Sequence, residues 1–349
     1  METTLQRRDE KQIPPSTRND EQHLWAAGSA TIGAAVWAGT AVAARAGIAR
    51  MGAVELIFLF APLVVVPLGM ALGRAISGSG WCESTASRMQ PLGAALAVIA
   101  MWLPPGRNAG LAGLGWMLVC ALMAGGGVVE LLRTSWSDAG GGARATLAIA
   151  KIDLAVGGAW LVSSRLGMRP MGIQEPIGLL TAVHFHFAGF ATATIAAATL
   201  LSAEKWRQQV WLKGVVWLIV GLPYLVAAGF LVSPALKMGA ALLLSASVAV
   251  LALFLRACGK QAHDPTARVL LQVASAAVFA GMALSGGYAV ADYLGSDVLT
   301  IPQMARTHGI LNGFGFCLMG MLGWLVEDPR TEDDPEQRAK GWRERNFQC

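Results

Sequence analysis

The chain of 349 residues is 54% hydrophobic and only 14% charged, with a mean hydropathy of +0.51. A water-soluble domain carries about 25% charged residues, so these proportions exclude a soluble globular protein and predict an integral membrane protein. The net charge of +5 does not argue for nucleic acid, because the basic residues sit in loops and tails beside apolar segments, where they orient the chain and meet anionic headgroups.

Residues 1–23 form a polar N-terminal tail. The first apolar segment begins at Leu24, so the sequence predicts no cleavable signal peptide and a first helix retained as a signal anchor. A lipid core about 30 Å thick needs roughly 20 apolar residues per helix, which predicts about ten segments. These are 24–44, 52–73, 90–104, 110–130, 145–163, 177–200, 211–232, 238–255, 269–291 and 307–326, followed by a charged tail over 327–349. The third is short, and the first is rich in Ala and Gly. Pro104, Pro105, Pro176, Pro234, Pro265 and Pro302 fall between segments, as helix punctuation should, whereas Pro62, Pro67 and Pro223 fall within them and predict kinks. The 41 glycines suit close helix approach in a bilayer.

The basic residues set the orientation. If both tails are cytoplasmic, only Arg45, Arg50, Arg107, Arg165, Arg169, Lys237 and Arg306 face outward, Lys151 lies within a span, and all remaining Lys and Arg are inside. That bias fits the positive-inside rule and an even number of helices. The expected fold is therefore an all-α polytopic integral membrane bundle. One transmembrane domain covers 24–326, in a bacterial-type inner membrane, with the lipid bilayer as its surroundings. No internal repeat of the kind that marks many transporters is visible.

Five histidines occur in the chain, and His23 and His263 lie in polar stretches. The other three, His184, His186 and His308, lie inside apolar segments, where an ionisable side chain is costly and reads as a functional candidate. On the expected topology they share the outer leaflet with Glu55, Glu175 and Asp292. Residues two apart on a regular helix point about 200° apart, so His184 and His186 cannot both face one ion without distortion. Thr181, His184, Ala188 and Ala191 would form one stripe, and His186, Gly189 and Ala193 another. Asn312, one turn below His308, is placed to fix that ring's tautomer, and Gly309 with Gly313 forms a GxxxG surface.

The expectation is that His184 or His186 meets His308 across a helix interface. Neutral imidazoles there would bind a metal or haem iron, or relay protons; the bland alternative is interhelical hydrogen bonding, worth about 0.6 kcal/mol each in membranes. The binding candidates are thus His184, His186, His308, Asn312 and Asp292, with the three histidines as metal-ligand candidates. Phe185, Phe187 and Phe190 read as lipid-facing bulk rather than a pocket lining. A second cluster of Glu130, Arg133, Lys151 and Asp153 falls toward the inner side and reads as structural, with Lys151 and Asp153 pairing with neighbours or snorkelling.

Several chemistries are excluded. Three histidines are too few for diiron desaturases or haem–copper oxidases. HExxH, GxxxxGK[ST] and GxSxG are absent. The five cysteines, Cys82, Cys120, Cys258, Cys317 and Cys349, stand singly without CxxC spacing, so neither a disulfide framework nor a thiolate metal site is expected.

The run His184-Phe185-His186-Phe187-Ala188-Gly189-Phe190, followed by Thr307-His308-Gly309 with Asn312 and Gly315-Phe316, resembles the YndJ-like bacterial membrane proteins. The resemblance is strongest over 145–326. It implies a multi-helix membrane fold, points to the same three histidines, and carries a transporter label without a substrate. Three function classes follow. One is a transporter binding a small solute or proton at an outward-facing histidine site. Another is a membrane enzyme or redox protein using His184 or His186 with His308 as ligands to metal or haem. The last is a sensor or scaffold with structural histidines. The sequence names no cofactor and ranks the transporter first.

Overall fold

The computed structural model describes residues 15–134, 140–203, 210–296 and 298–327, so most of both polar tails lies outside the described residues. The apolar runs form α1 (Pro15–Arg45), α2 (Ala53–Ser77), α3 (Trp81–Trp102), α4 (Arg107–Arg133) and α5 (Gly141–Leu166). They continue as α6 (Ile177–Ser202), α7 (Val210–Val232), α8 (Pro234–Gln261), α9 (Pro265–Tyr293) and α10 (Ile301–Glu327). No strand occurs among the described residues. Nine of these helices contain a stretch long and apolar enough to cross a membrane, and α3 is the tenth helix.

Side-chain chemistry sets the helix starts. Ser233 Oγ accepts from the Leu236 amide at 3.1 Å, and Asp264 Oδ1 accepts from the Thr266 and Ala267 amides at 2.7 and 3.1 Å. Each of these caps is followed by a proline in the first helical turn, where its missing N–H costs nothing. Thr300 and Gln303 cap α10 reciprocally. Glu55 and Glu83 accept from the Gly52 and Gly80 amides, each at 3.0 Å, at the positive ends of α2 and α3. Gly78 and Gly167 end α2 and α5 with φ of 81° and 70°, a left-handed backbone that glycine adopts without a Cβ penalty.

Boundaries fall within a few residues of the hydropathy reading except at the start of α1, which begins at Pro15 rather than 24, and at α3. That helix begins at Trp81, nine residues before the expected 90, and includes Glu83, Ser84, Thr85 and Arg88. Its first two turns are too polar for a hydropathy window to include. Their Glu83 and Ser87 are directed inward, toward Lys151 and Arg74.

Helix α2 is the axis of the bundle: 94% of its most apolar stretch is buried, against 22% for α1 and 28% for α9. It packs on α1, α6 and α10, while α3–α4, α4–α5, α7–α8 and α8–α9 form antiparallel neighbours around it. The outer faces carry exposed apolar side chains such as Ile32, Leu132, Val232 and Val269, the surface a lipid-embedded bundle presents. Pro62 lies in a wider π-helical turn, Ala61–Val65, inside α2. The Pro62 carbonyl accepts from Gln90 Nε2 at 2.8 Å, and Gln90 Oε1 accepts from Ser29 at 2.7 Å. One buried glutamine thereby joins α1, α2 and α3 at the place where proline interrupts regular helix bonding.

Candidate functional site

Both histidine-bearing helices depart from regular α geometry where the histidines sit. In α6, Ile177–His184 is regular and Phe185–Thr192 is π-helical; in α10, Ala305–Gly309 and Leu311–Leu318 are π-helical. The change of winding shows in the threonines. Thr192 Oγ1 bonds the carbonyl five residues back, Phe187 O, at 2.9 Å, whereas Thr194 bonds the carbonyl four back, Phe190 O, at 2.7 Å. The π turns of α2, α6 and α10 pack against one another, and π turns concentrate at functional positions. Phe60 of α2 stacks on Phe314 of α10 at 4.0 Å, and Gly313 lies under Phe60 and Phe187.

His186 is buried completely and fully employed. A backbone carbonyl can only accept, so its Nδ1–H donates to Ala182 O at 2.7 Å, which leaves Nε2 as an acceptor for Trp116 Nε1–H at 2.9 Å. Phe58 meets the ring edge-on at 5.2 Å. Gly157 of α5 makes the space: a Cβ there would lie 2.6 Å from His186 Nδ1. Both nitrogens of the neutral ring are spent on the seam between α4, α5 and α6.

His184 points elsewhere, as the two-residue spacing requires. It is exposed, and its Nδ1–H donates to Leu180 O at 2.7 Å. His308 of α10 is half-buried, donates Nδ1–H to Gly281 O of α9 at 2.9 Å, and lies within electrostatic reach of His184. Asn312 Nδ2 donates to the His308 carbonyl at 2.7 Å and rests 3.2 Å from Nδ1. The carbonyl of Gly281 therefore sets the His308 tautomer, and Asn312 braces the turn beneath it. Gly281 permits this, because a Cβ would fall 2.7 Å from the Asn312 amide. Neither His184 Nε2 nor His308 Nε2 has a hydrogen-bond partner among the described residues.

The structure thus holds His186 in a seam of its own, while His184 and His308 each bond a separate backbone carbonyl. Among the described residues no three His, Cys, Asp or Glu side chains converge on a metal-sized point, so the three histidines do not make one ligand set. Asp292 is not near His308: it holds Lys237 of α8 at 2.7 Å, with Lys237 Nζ 4.9 Å over the Phe230 ring. It sits eleven residues beyond Gly281 on α9, roughly 16 Å along the axis. Glu55 and Glu175 are helix-start acceptors, both within electrostatic reach of the buried Arg165. Phe185, Phe187 and Phe190 are 3%, 8% and 0% exposed and face protein rather than lipid, because α6 runs inside the bundle. The tight contacts of α10 are also not at its GxxxG pair. Gly315 meets Ala277, and Asn312 meets Gly281, both on α9.

A second polar region lies farther along α5. Lys151 Nζ binds Glu130 Oε2 at 2.6 Å and Glu83 Oε1 at 3.0 Å, beside Arg74, which donates to Ser87 Oγ at 3.1 Å. A small cavity lined by Gly69, Gly73, Arg74, Glu83, Ser87 and Lys151 sits at this cluster. Asp153 takes no part in it and accepts from the Tyr224 hydroxyl of α7. Glu83 lies outside the expected segment 90–104, because the helix begins nine residues earlier, at Trp81. The signal that would have found it is the Gly80-to-Glu83 spacing, a helix start with a carboxylate in its first turn.

The model of the YndJ-like protein family matches residues 56–316, from α2 through the π turns of α10. The chain belongs to the YndJ-like family. The Uncharacterized membrane protein YndJ of Bacillus subtilis (strain 168) is 29% identical over 185 residues, covering 52% of this chain and 33% of that protein. The match therefore spans about a third of the relative's length. No solved structure matches. This YndJ-like chain is a multi-pass membrane protein, and His184, His308 and Asn312 all fall within the family match.

Proposed function

We propose that this YndJ-like protein is transporter-like, with His184 and His308 forming an outward-facing site for a small solute or proton. The carrying observation is the shared state of the two rings. Each donates Nδ1–H to a backbone carbonyl and leaves the Nε2 lone pair unclaimed, one on α6 and one on α10. Imidazoles so held are ready to accept a proton or a donor group from a ligand. Support also comes from the π turns beside both histidines, since local rewinding moves a side chain around its helix with little displacement of the helix ends. The same reading places the 24–326 membrane domain between cytoplasmic tails, on the Lys and Arg bias.

A second reading is favoured by the same tautomers. Histidines that ligate metals commonly donate the other ring N–H to a carbonyl or carboxylate, so two Nε2 atoms would suit a haem iron or a metal completed by exogenous ligands.

The two are separated by absorption spectroscopy and elemental analysis of detergent-purified protein beside His308→Ala. A Soret band or stoichiometric metal that disappears in the variant establishes the ligand reading. A colourless, metal-free protein directs the test to proteoliposomes, where proton or solute flux should fall at least tenfold in His184→Gln and His308→Gln. Flux indifferent to both substitutions overturns the transporter reading.

A further inference from the structure

Asp153 is the one carboxyl among the described residues that combines complete burial with an unused oxygen and no cationic partner. Its exposure is 0%. Oδ1 accepts from the Tyr224 hydroxyl, while Oδ2 bonds nothing. Of the helices packed on α5, α2 contributes Arg74, which bonds Ser87, and α4 contributes Glu130, which bonds Lys151. Glu83 of α3 also bonds Lys151. From α6 comes His186, with both nitrogens engaged, and from α7 Tyr224. Lys151 itself leaves α5 about 200° away from Asp153, two residues along a regular helix, and is committed to its two glutamates. Isolating a carboxylate charge from water without a counter-ion costs far more than one phenolic hydrogen bond returns.

We propose that Asp153 is an intramembrane proton-binding site. Its carboxyl takes up a proton at Oδ2, becoming neutral, and gives it back to leave the carboxylate with Tyr224 still donating to Oδ1. A metal cation fits poorly, since hard cations gather six or more oxygens and, among the described residues, only the Tyr224 hydroxyl bonds this carboxyl. Tyr224 is itself 41% exposed, and its hydroxyl, both donor and acceptor, is the side-chain group that bonds the buried acid. On the other side the backbone of α6 closes the site at Gly189, where a Cβ would lie 2.8 Å from Oδ2. Gly189 belongs to the π turn Phe185–Thr192, so rewinding that turn opens or shuts the space over Oδ2. The inference goes beyond the histidine pair and does not depend on it.

The test is infrared spectroscopy of the intact protein in lipid at neutral pH, in H2O and D2O. The expected result is a carbonyl-stretch band of a protonated carboxylic acid that is lost in Asp153→Asn. In Tyr224→Phe the band should persist at higher frequency, because its carbonyl loses a hydrogen bond; this variant also carries the test should Asp153→Asn not fold. In D2O it should move to lower frequency as the proton exchanges. A wild-type spectrum identical to that of Asp153→Asn in this region overturns the proposal, as does a band unmoved by prolonged D2O. Neither failure bears on the His184–His308 reading, which is judged by flux and ligand content.

Discussion

His184 and His186 show how two residues of one type, separated by a single phenylalanine, take opposite roles. The geometry that separates them by nearly half a turn sends His186 into the α4–α5–α6 seam and leaves His184 exposed. His186 is saturated by a carbonyl and an indole, so its contribution is to fold and register. Trp116→Phe should therefore leave His186 Nε2 as a buried acceptor without a donor and lower stability by about 1–3 kcal/mol, read as earlier thermal unfolding in detergent. His184→Gln should shift the same measurement by less than about 0.5 kcal/mol, as expected for an exposed position. Equal losses in both variants would contradict the division of roles. The composition of the HFHF run signalled that histidines were unusual here, but the partner of each was not legible, because partners come from helices distant in sequence.

Among the elements, α5 carries the densest polar traffic. On one side Lys151 ties α3 and α4 together through Glu83 and Glu130, with side-chain exposures of 3%, 12% and 13%. On another, Asp153 meets α7 and the backbone of α6. Removing one member of a buried ion network strands the others, so Lys151→Ala should cost about 3–5 kcal/mol. Neutralising the whole set in the triple variant Lys151→Met, Glu83→Gln, Glu130→Gln should restore most of that loss, since apolar or neutral replacements of buried charges are commonly tolerated. Chemical unfolding in mixed micelles distinguishes the two outcomes; a triple variant as unstable as the single one would contradict the network. Sequence reading placed Lys151 and Glu130 in one cluster and joined Asp153 to it, but the pair Lys151 and Asp153 lie on opposed faces of α5. Helical periodicity held that information. What it lacked was Glu83, hidden in helix turns too polar to register as a membrane segment.

At the scale of the whole molecule, the ten described helices, nine of them around α2, make a bundle whose chain ends emerge on the same side if every helix crosses. The charge asymmetry then predicts which side. In a cysteine-free background, Met168→Cys in the α5–α6 connection should react with a membrane-impermeant thiol reagent from outside intact cells. Gln261→Cys, at the end of α8, should react only after permeabilisation. Both positions are exposed, so the reverse pattern would invert the orientation and put His184 and His308 on the cytoplasmic face. The sequence by itself determined the membrane class, the helix number to within about one and most of the boundaries. Hydropathy is a local sum over side chains, and a span about 20 residues long is a local object. It also singled out the three histidines, since cost of burial is a property of residue and segment together. Only the tertiary structure decided which histidine is spent and which is open. That choice depends on Trp116, Gly157 and Gly281, contributed by α4, α5 and α9, and on the π turns of α6 and α10, which shift side chains off the 3.6-residue stripes a sequence reader must assume.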